Sequence, residues 1–217
     1  VTTGQKRRLT RFEQKAKTRQ EILGAGEQVF RREGYHRASV EMIAAEAGYT
    51  KGAFYANFSS KEELFLTLVE PRLEERSRVV DKLRGSKDIH KDVTEFSREF
   101  MAYIAEEPDW QRAFLEFIVF ASSEPHLRDR LEHAQRPLRH ALASVAEDRW
   151  ELSRADADIV ATAVWAISIG AAIESLQSGW SLAAATLQLS LESILDRLDR
   201  QLHESSPARG GGHARHL

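Results

Sequence analysis

The chain has 217 residues, 42% of them apolar, with 31 Lys/Arg, 33 Asp/Glu and no cysteine. This is the composition of a globular protein with room for a sizeable core; it excludes disulfide and thiolate chemistry and fits a reducing compartment such as the cytoplasm. The net charge of −2 alone argues against a nucleic-acid partner, but residues 1–40 hold ten Lys/Arg and four Asp/Glu, net +6, and residues 41–217 hold 21 and 29, net −8. A basic head on an acidic body suits a protein that touches phosphate at one end.

Residues 1–11 (VTTGQKRRLTR) lack an apolar period and read as a disordered basic arm. A first helix is predicted from about Phe12 to Glu33, with Ala16, Ile22, Leu23, Gly26, Val29 and Phe30 inward and Gly34 ending it. Val40, Ile43, Ala44 and Ala47 then fall at i, i+3, i+4 and i+7, one apolar stripe on a second helix capped by Ser39. Gly48 suits the left-handed conformation that ends it, and Thr50 can cap a third helix, Lys51-Gly52-Ala53-Phe54-Tyr55. Two short helices around a tight turn have the shape of a helix-turn-helix, whose second helix enters the DNA major groove.

Ser60 and Glu63 form an S-x-x-E signal for a long fourth helix with Leu64, Phe65, Leu68 and Val69 buried, and Pro71 is expected to kink it. After a break at Gly85-Ser86 comes a fifth helix, with Val93, Phe96, Phe100 and Ile104 at helical spacing. Asp109 is placed as the cap of a sixth, carrying Phe114, Phe117, Ile118 and Ala121, and Pro125 in the first turn of a seventh. Ser153 and Asp156 open an eighth that runs to about Gln177, and a ninth spans about Leu182 to Leu202. The tail SSPARGGGHARHL is low-complexity. The N-terminus is basic without an apolar secretory core. The apolar run Ile159–Ile173 falls short of the ~20 residues a bilayer needs, which favours a buried helix over a membrane span.

The block Gly34-Tyr35, Ile43-Ala44, Ala47-Gly48, Lys51-Gly52, Phe54-Tyr55, Phe58 and Lys61-Glu62-Glu63-Leu64-Phe65 closely resembles the DNA-binding segment of the TetR/AcrR family of transcriptional regulators. The resemblance covers the first third of the chain. It implies an all-α fold of about nine helices: a disordered arm (1–11), a three-helix helix-turn-helix domain (12–60), a helical ligand-binding and dimerisation domain (61–203) and a disordered tail (204–217). It also implies a cytoplasmic homodimer that represses transcription from a palindromic double-stranded operator and is released by a small-molecule effector, with no cofactor, metal or membrane.

Carried over residue by residue, Lys51 would reach a phosphate or a guanine edge and Gly52 would allow close approach to the groove. Tyr55 would meet a phosphate or thymine methyl, and Asn57, Lys61 and Ser39 would donate to phosphate. Specificity is assigned to Lys51, Gly52, Ala53 and the arm residues Arg7, Arg8 and Arg11. Phe54 and Phe58 share the inward face with Ile43 and read as core, as do Tyr35 and Tyr49; Ser39 reads equally as a plain helix cap. Two positions depart from the family pattern. Glu41, where relatives carry Arg or a neutral polar residue, would repel phosphate. Ala53, replacing a frequent Thr, would pack a thymine methyl.

For the second domain the resemblance places dimerisation on the last two helices, at Ala163, Ile167, Gly170, Leu187, Leu191, Ile194 and Leu198, with closure of the monomer core as the competing use of the same residues. Phe100, Tyr103, Phe114, Phe117, His133 and Trp165 are candidate effector contacts, although an aromatic stripe at helical spacing also serves as plain core. His126, His133 and His140 repeat every seven residues, about 10.5 Å apart along a helix, too far to share a metal. The catalytic motifs H-E-x-x-H and G-x-S-x-G are absent, so no catalytic residues are expected. Two other readings remain: a helical small-molecule- or partner-binding protein without a DNA role, and a DNA-binding activator.

Overall fold

Residues 10–205 are described by the computed structural model, and among them every regular element is helical. The α-helices are α1 (Arg11–Arg37), α2 (Val40–Glu46), α3 (Lys51–Tyr55), α4 (Lys61–Lys82), α5 (Ile89–Glu106), α6 (Pro108–Ser123), α7 (Pro125–Trp150), α8 (Arg154–Ser178) and α9 (Trp180–Ser205), with a 3-10 turn at Leu83–Gly85. They form two compact units: residues 10–73 with Glu107–Gln135, and Glu74–Glu106 with residues 136–205. The helices α4 and α7 thus each begin in the first unit and end in the second.

In the first unit, Arg11, assigned to the arm by composition, is instead the first residue of α1. A reciprocal capping box fixes that start: the Thr10 hydroxyl accepts from the Glu13 amide (3.2 Å) and the Thr10 amide donates to the Glu13 carboxylate (2.8 Å). Ala16, expected inward, is exposed. Gly34 breaks the helix as predicted, at φ 78° and ψ 170°, and one further turn through Tyr35 and Arg37 follows. A Cβ there would meet the Glu116 carboxylate at 2.7 Å, and that carboxylate accepts from the His36 amide (2.9 Å), so both the backbone angle and the close approach require glycine.

Rings fill the centre of this unit. Phe65 of α4 lies 4.8 Å from Phe30, 5.0 Å from Tyr35, 4.7 Å from Phe117 and 5.2 Å from Trp110, centroid to centroid. Fully burying one such side chain stabilises by about 1.5–3 kcal/mol, before the ring–ring geometry adds its share. A charged cluster lies beside the rings: one Glu27 oxygen accepts from Arg31 (2.8 Å) and Arg72 (2.7 Å), Arg31 also reaches Glu107 (2.7 Å), and Arg72 lies over the Trp110 ring. Burial pushes the Glu27 carboxyl up, but the hydrogen bond from Arg31 and the charges of Arg72 and Arg31 outweigh it and leave the group below its usual value.

The expected S-x-x-E box is only half present at α4. The Ser60 hydroxyl accepts from the Glu63 amide (3.1 Å), while the Glu63 carboxylate binds the amide (2.6 Å) and hydroxyl (2.5 Å) of Ser59. α4 continues through Pro71 as one helix. Asp109 does not cap α6: Pro108 takes the first helical position and Asp109 pairs with Arg112.

The second unit packs with smaller residues. Met101 and Ile104 of α5 meet Ala171 and Ala172 of α8 and Ala183, Leu187 and Leu191 of α9. The start of α5 is tied to α9 by His90 and Asp199 (2.8 Å), and the Trp150 indole donates to the other Asp199 oxygen (2.6 Å). A slot of about 60 Å³ is walled by Val80, Phe96, Trp150, Val164, Leu195 and Leu198 among others. The helix α8 was expected to be buried; it is not. Only 17% of its most apolar stretch is buried, and it is the one described helix long and apolar enough to cross a membrane. Its buried residues are a narrow stripe of alanines, Ala157, Ala161, Ala171 and Ala172.

Candidate nucleic-acid interface

Two side-chain caps build the helix-turn-helix. Ser39 accepts from the Met42 amide (3.3 Å) to open α2, and Thr50 accepts from the Ala53 amide (3.2 Å) to open α3. Between them Gly48 takes φ 73°, the left-handed angle the tight turn needs. Ile43, Phe54 and Phe58 are buried to 1% exposure or less, as their shared inward face predicted, and they fix the two helices against each other. Arg19 of α1, which no sequence motif marked, secures the far end: it donates to the Asn57 carbonyl (2.5 Å) and lies 3.9 Å over the Phe58 ring. Tyr49 is half-buried rather than core, and its hydroxyl donates to Glu21 (2.6 Å).

Burying Phe54 turns the rest of α3 outward. Lys51, Gly52 and Tyr55 are exposed and Ala53 is half-exposed, one continuous outward strip. Lys51 is ion-paired with Glu41 of α2, both side chains more than half exposed. The hydrogen bond to Lys51 holds the Glu41 carboxyl at about 2, with Ser39 and its own backbone amide contributing, and raises the Lys51 ammonium in turn. Exposed Arg11 lies at the start of α1, while Arg7 and Arg8 lie outside the described residues.

Two of the assigned phosphate donors make hydrogen bonds within the first unit. The Lys61 ammonium donates to the carbonyls of Tyr35 and Ala38, each at 2.9 Å, and lies 4.3 Å over the Tyr35 ring. It closes the end of α1; burial lowers its pKa, against the charges of Glu62 and Glu116. Asn57 donates one amide N–H to the Ala53 carbonyl (2.9 Å) at the end of α3, which leaves the second N–H to donate. Ser39 is engaged as a cap, and its hydroxyl keeps a proton to donate.

The residues proposed for effector and dimer contacts divide between the units. Phe114 and Phe117 are buried in the aromatic centre of the first, and His133 is exposed there. Phe100, Tyr103 and Trp165 are half-buried in the second, with Arg76 over the Phe100 and Tyr103 rings and Arg139 over Trp165. Among the described residues no group of His, Asp and Glu could hold a metal ion. Leu187, Leu191 and Leu198 face inward and are covered by the unit itself, Ala163, Ile167 and Ile194 are half-buried, and Gly170 is exposed. The open apolar face lies beside them: Ile159, Ala166, Gly170 and Ile173 on α8, Leu182 and Leu189 on α9.

A fold of this kind with an outward-facing, capped recognition helix defines a helix-turn-helix DNA-binding regulator. Residues 22–68 match the family of bacterial regulatory proteins named tetR, and this match supports a TetR-family transcriptional regulator. It is 27% identical over 192 residues to the HTH-type transcriptional repressor AcnR of Corynebacterium diphtheriae, covering 88% of this chain and 94% of that one. The fold matches a TetR-family regulator from Mesorhizobium loti (TM-score 0.66, 20% identity, 87% of this chain and 98% of that one). It also matches the transcriptional regulator FadR of Bacillus subtilis in complex with stearoyl-CoA (TM-score 0.61, 15% identity, 79% and 96%).

Proposed function

We propose that this DNA-binding regulator is a repressor that acts as a homodimer in the bacterial cytoplasm and leaves a palindromic operator when a small molecule binds its helical body. The observation that carries the reading is the outward strip of Lys51, Gly52, Ala53 and Tyr55, held rigid from behind by Phe54 and Phe58. Lys51 and Tyr55 meet phosphate or base edges, Ala53 packs a thymine methyl, Gly52 lets the backbone approach, and Ser39 and Arg11 donate to flanking phosphates, with Arg7 and Arg8 continuing the arm. In functional terms residues 12–60 are the reading head and 61–203 the body.

Dimerisation runs through the open face of α8 and α9, where the small residues Ala166 and Gly170 let a second copy come close and Ile159, Ile173, Leu182 and Leu189 supply apolar area. A pair of heads reads two half-sites about one DNA turn apart. The effector site lies in the second unit, where the apolar slot and the half-buried rings of Phe100, Tyr103 and Trp165 supply walls. Repression agrees with the name of the Corynebacterium diphtheriae relative, and an effector agrees with the stearoyl-CoA held by the Bacillus subtilis protein of this fold.

Selection of bound duplexes from a random pool at two salt concentrations tests the reading. An enriched palindrome supports it; sequence-independent, salt-sensitive binding alone would remove operator reading, and no binding would favour a ligand carrier.

A further inference from the structure

The ion pair between Glu41 and Lys51 joins two different helices, and the burial of Ile43 and Phe54 together with the Gly48 turn holds those helices in place. Stability does not account for it, because side chains this exposed contribute little when paired. Affinity for the DNA backbone does not account for it either. A carboxylate in the first turn of α2, the helix that crosses the backbone in this motif, repels phosphate. It also occupies Lys51, the only Lys or Arg of α3.

What the pair does match is one base pair. In the major groove a G·C pair presents two acceptors, guanine O6 and N7, beside one donor, the cytosine N4 amino group. A lysine ammonium carries three donors, so one given to Glu41 leaves two for the guanine edge. An ionised carboxylate has lone pairs to spare and accepts from the cytosine amino group. Lys51 alone would bind any phosphate within its reach; tied to Glu41, it meets its best partner where an acceptor edge lies next to a donor.

We propose that Glu41 is a specificity-determining residue of the DNA-reading surface: with Lys51 it reads one G·C base pair in each half-site and lowers affinity for DNA lacking it. The proposal rests on α3 being the reading helix. It makes an acid, normally a hindrance on a DNA-facing surface, the source of discrimination.

The test compares wild type, Glu41→Gln and Lys51→Met, first by selection from a random duplex pool and then by fluorescence anisotropy. The anisotropy probes are the duplex that wild type enriches and a random-sequence duplex of the same length, across a salt series. Both substitutions sit on exposed positions, and thermal melts establish that each variant folds as wild type does. Wild type is expected to fix a G·C pair in each half-site. Glu41→Gln should bind the random duplex about tenfold more tightly, with a salt slope steeper by about one phosphate contact. Its operator-to-random ratio should fall at least tenfold, with the G·C requirement relaxed. Lys51→Met should lose the same base preference and weaken binding to both duplexes.

An unchanged ratio and an unchanged enriched base pair in Glu41→Gln would overturn the proposal and leave a surface ion pair. A fixed G·C that Lys51→Met also retains would overturn it too. Failure of wild type to enrich any duplex is a separate result: it removes the operator reading itself and this proposal with it.

Discussion

The two units are held together by different means, and the difference separates what this protein keeps fixed from what it leaves open. Of the twelve largest fully buried side chains, ten lie in the first unit: Tyr35, Phe30, Phe54, Phe58, Phe65, Phe117, Ile22, Ile43, Leu64 and Leu66; only Ile89 and Met101 lie in the second. The first unit therefore presents α3 on a rigid aromatic base, as a surface that must hold register on DNA requires. The second packs alanines against a few long aliphatics and leaves Ile159, Trp180, Leu182 and Leu189 more than half exposed. On the proposed reading a second copy would cover these side chains.

Substitution of the shared ring gives the sharpest break in this comparison. Phe65→Ala removes the residue that touches Phe30, Tyr35, Trp110 and Phe117, and should cost about 3–5 kcal/mol in urea unfolding. Leu187→Ala, among Ala171, Ala172 and Ala183, removes fewer atoms and should cost nearer 2 kcal/mol. Equal losses would mean that the aromatic centre holds no more than the alanine-lined one. A charge placed on the open face should act differently again. Ile173→Glu lies on a side chain 42% exposed, so the melting of the single chain should hardly move, while sedimentation should show a dimer weakened a hundredfold or more. A dimer that persists unchanged would put the contact elsewhere.

The sequence was most readable where backbone chemistry is local. Thr50, Ser39, Ser153 and Pro125 start their helices as their types predict, and the turns at Gly34 and Gly48 follow from positive φ alone. The apolar inward positions of the recognition motif were readable for the same reason, since Ile43, Phe54 and Phe58 share its inward face. What periodicity could not supply was the choice between two apolar faces of one helix. In α9 the leucines at 187, 191, 195 and 198 face inward and those at 182 and 189 face out, and only the positions of α5 and α8 decide between them. The internal partners of Lys61 and Asn57 were not readable, because a polar side chain beside a DNA-reading helix looks the same in sequence whether it points to phosphate or back to a carbonyl. Arg19 was missed because its partners, Asn57 and Phe58, are 38 and 39 positions away along the chain.

The smallest effect concerns the polar tie in the less rigid unit. The hydrogen bond with His90, assisted by the Trp150 indole, holds the Asp199 carboxyl below its ordinary value. A carboxyl lowered on folding contributes stability that is present above the unfolded value, about 3.9, and is lost as the pH falls through the folded one. Asp199→Asn should therefore lower the melting temperature most near pH 6, by no more than a few degrees, because the side chain is 35% exposed and solvent screens the pair. At pH 3 the gap to wild type should narrow. An equal gap at pH 6 and pH 3 would assign the contribution to the shape of the contact rather than its charge. His90 would then join α5 to α9 as a packed ring, holding the two helices by contact area and not by charge.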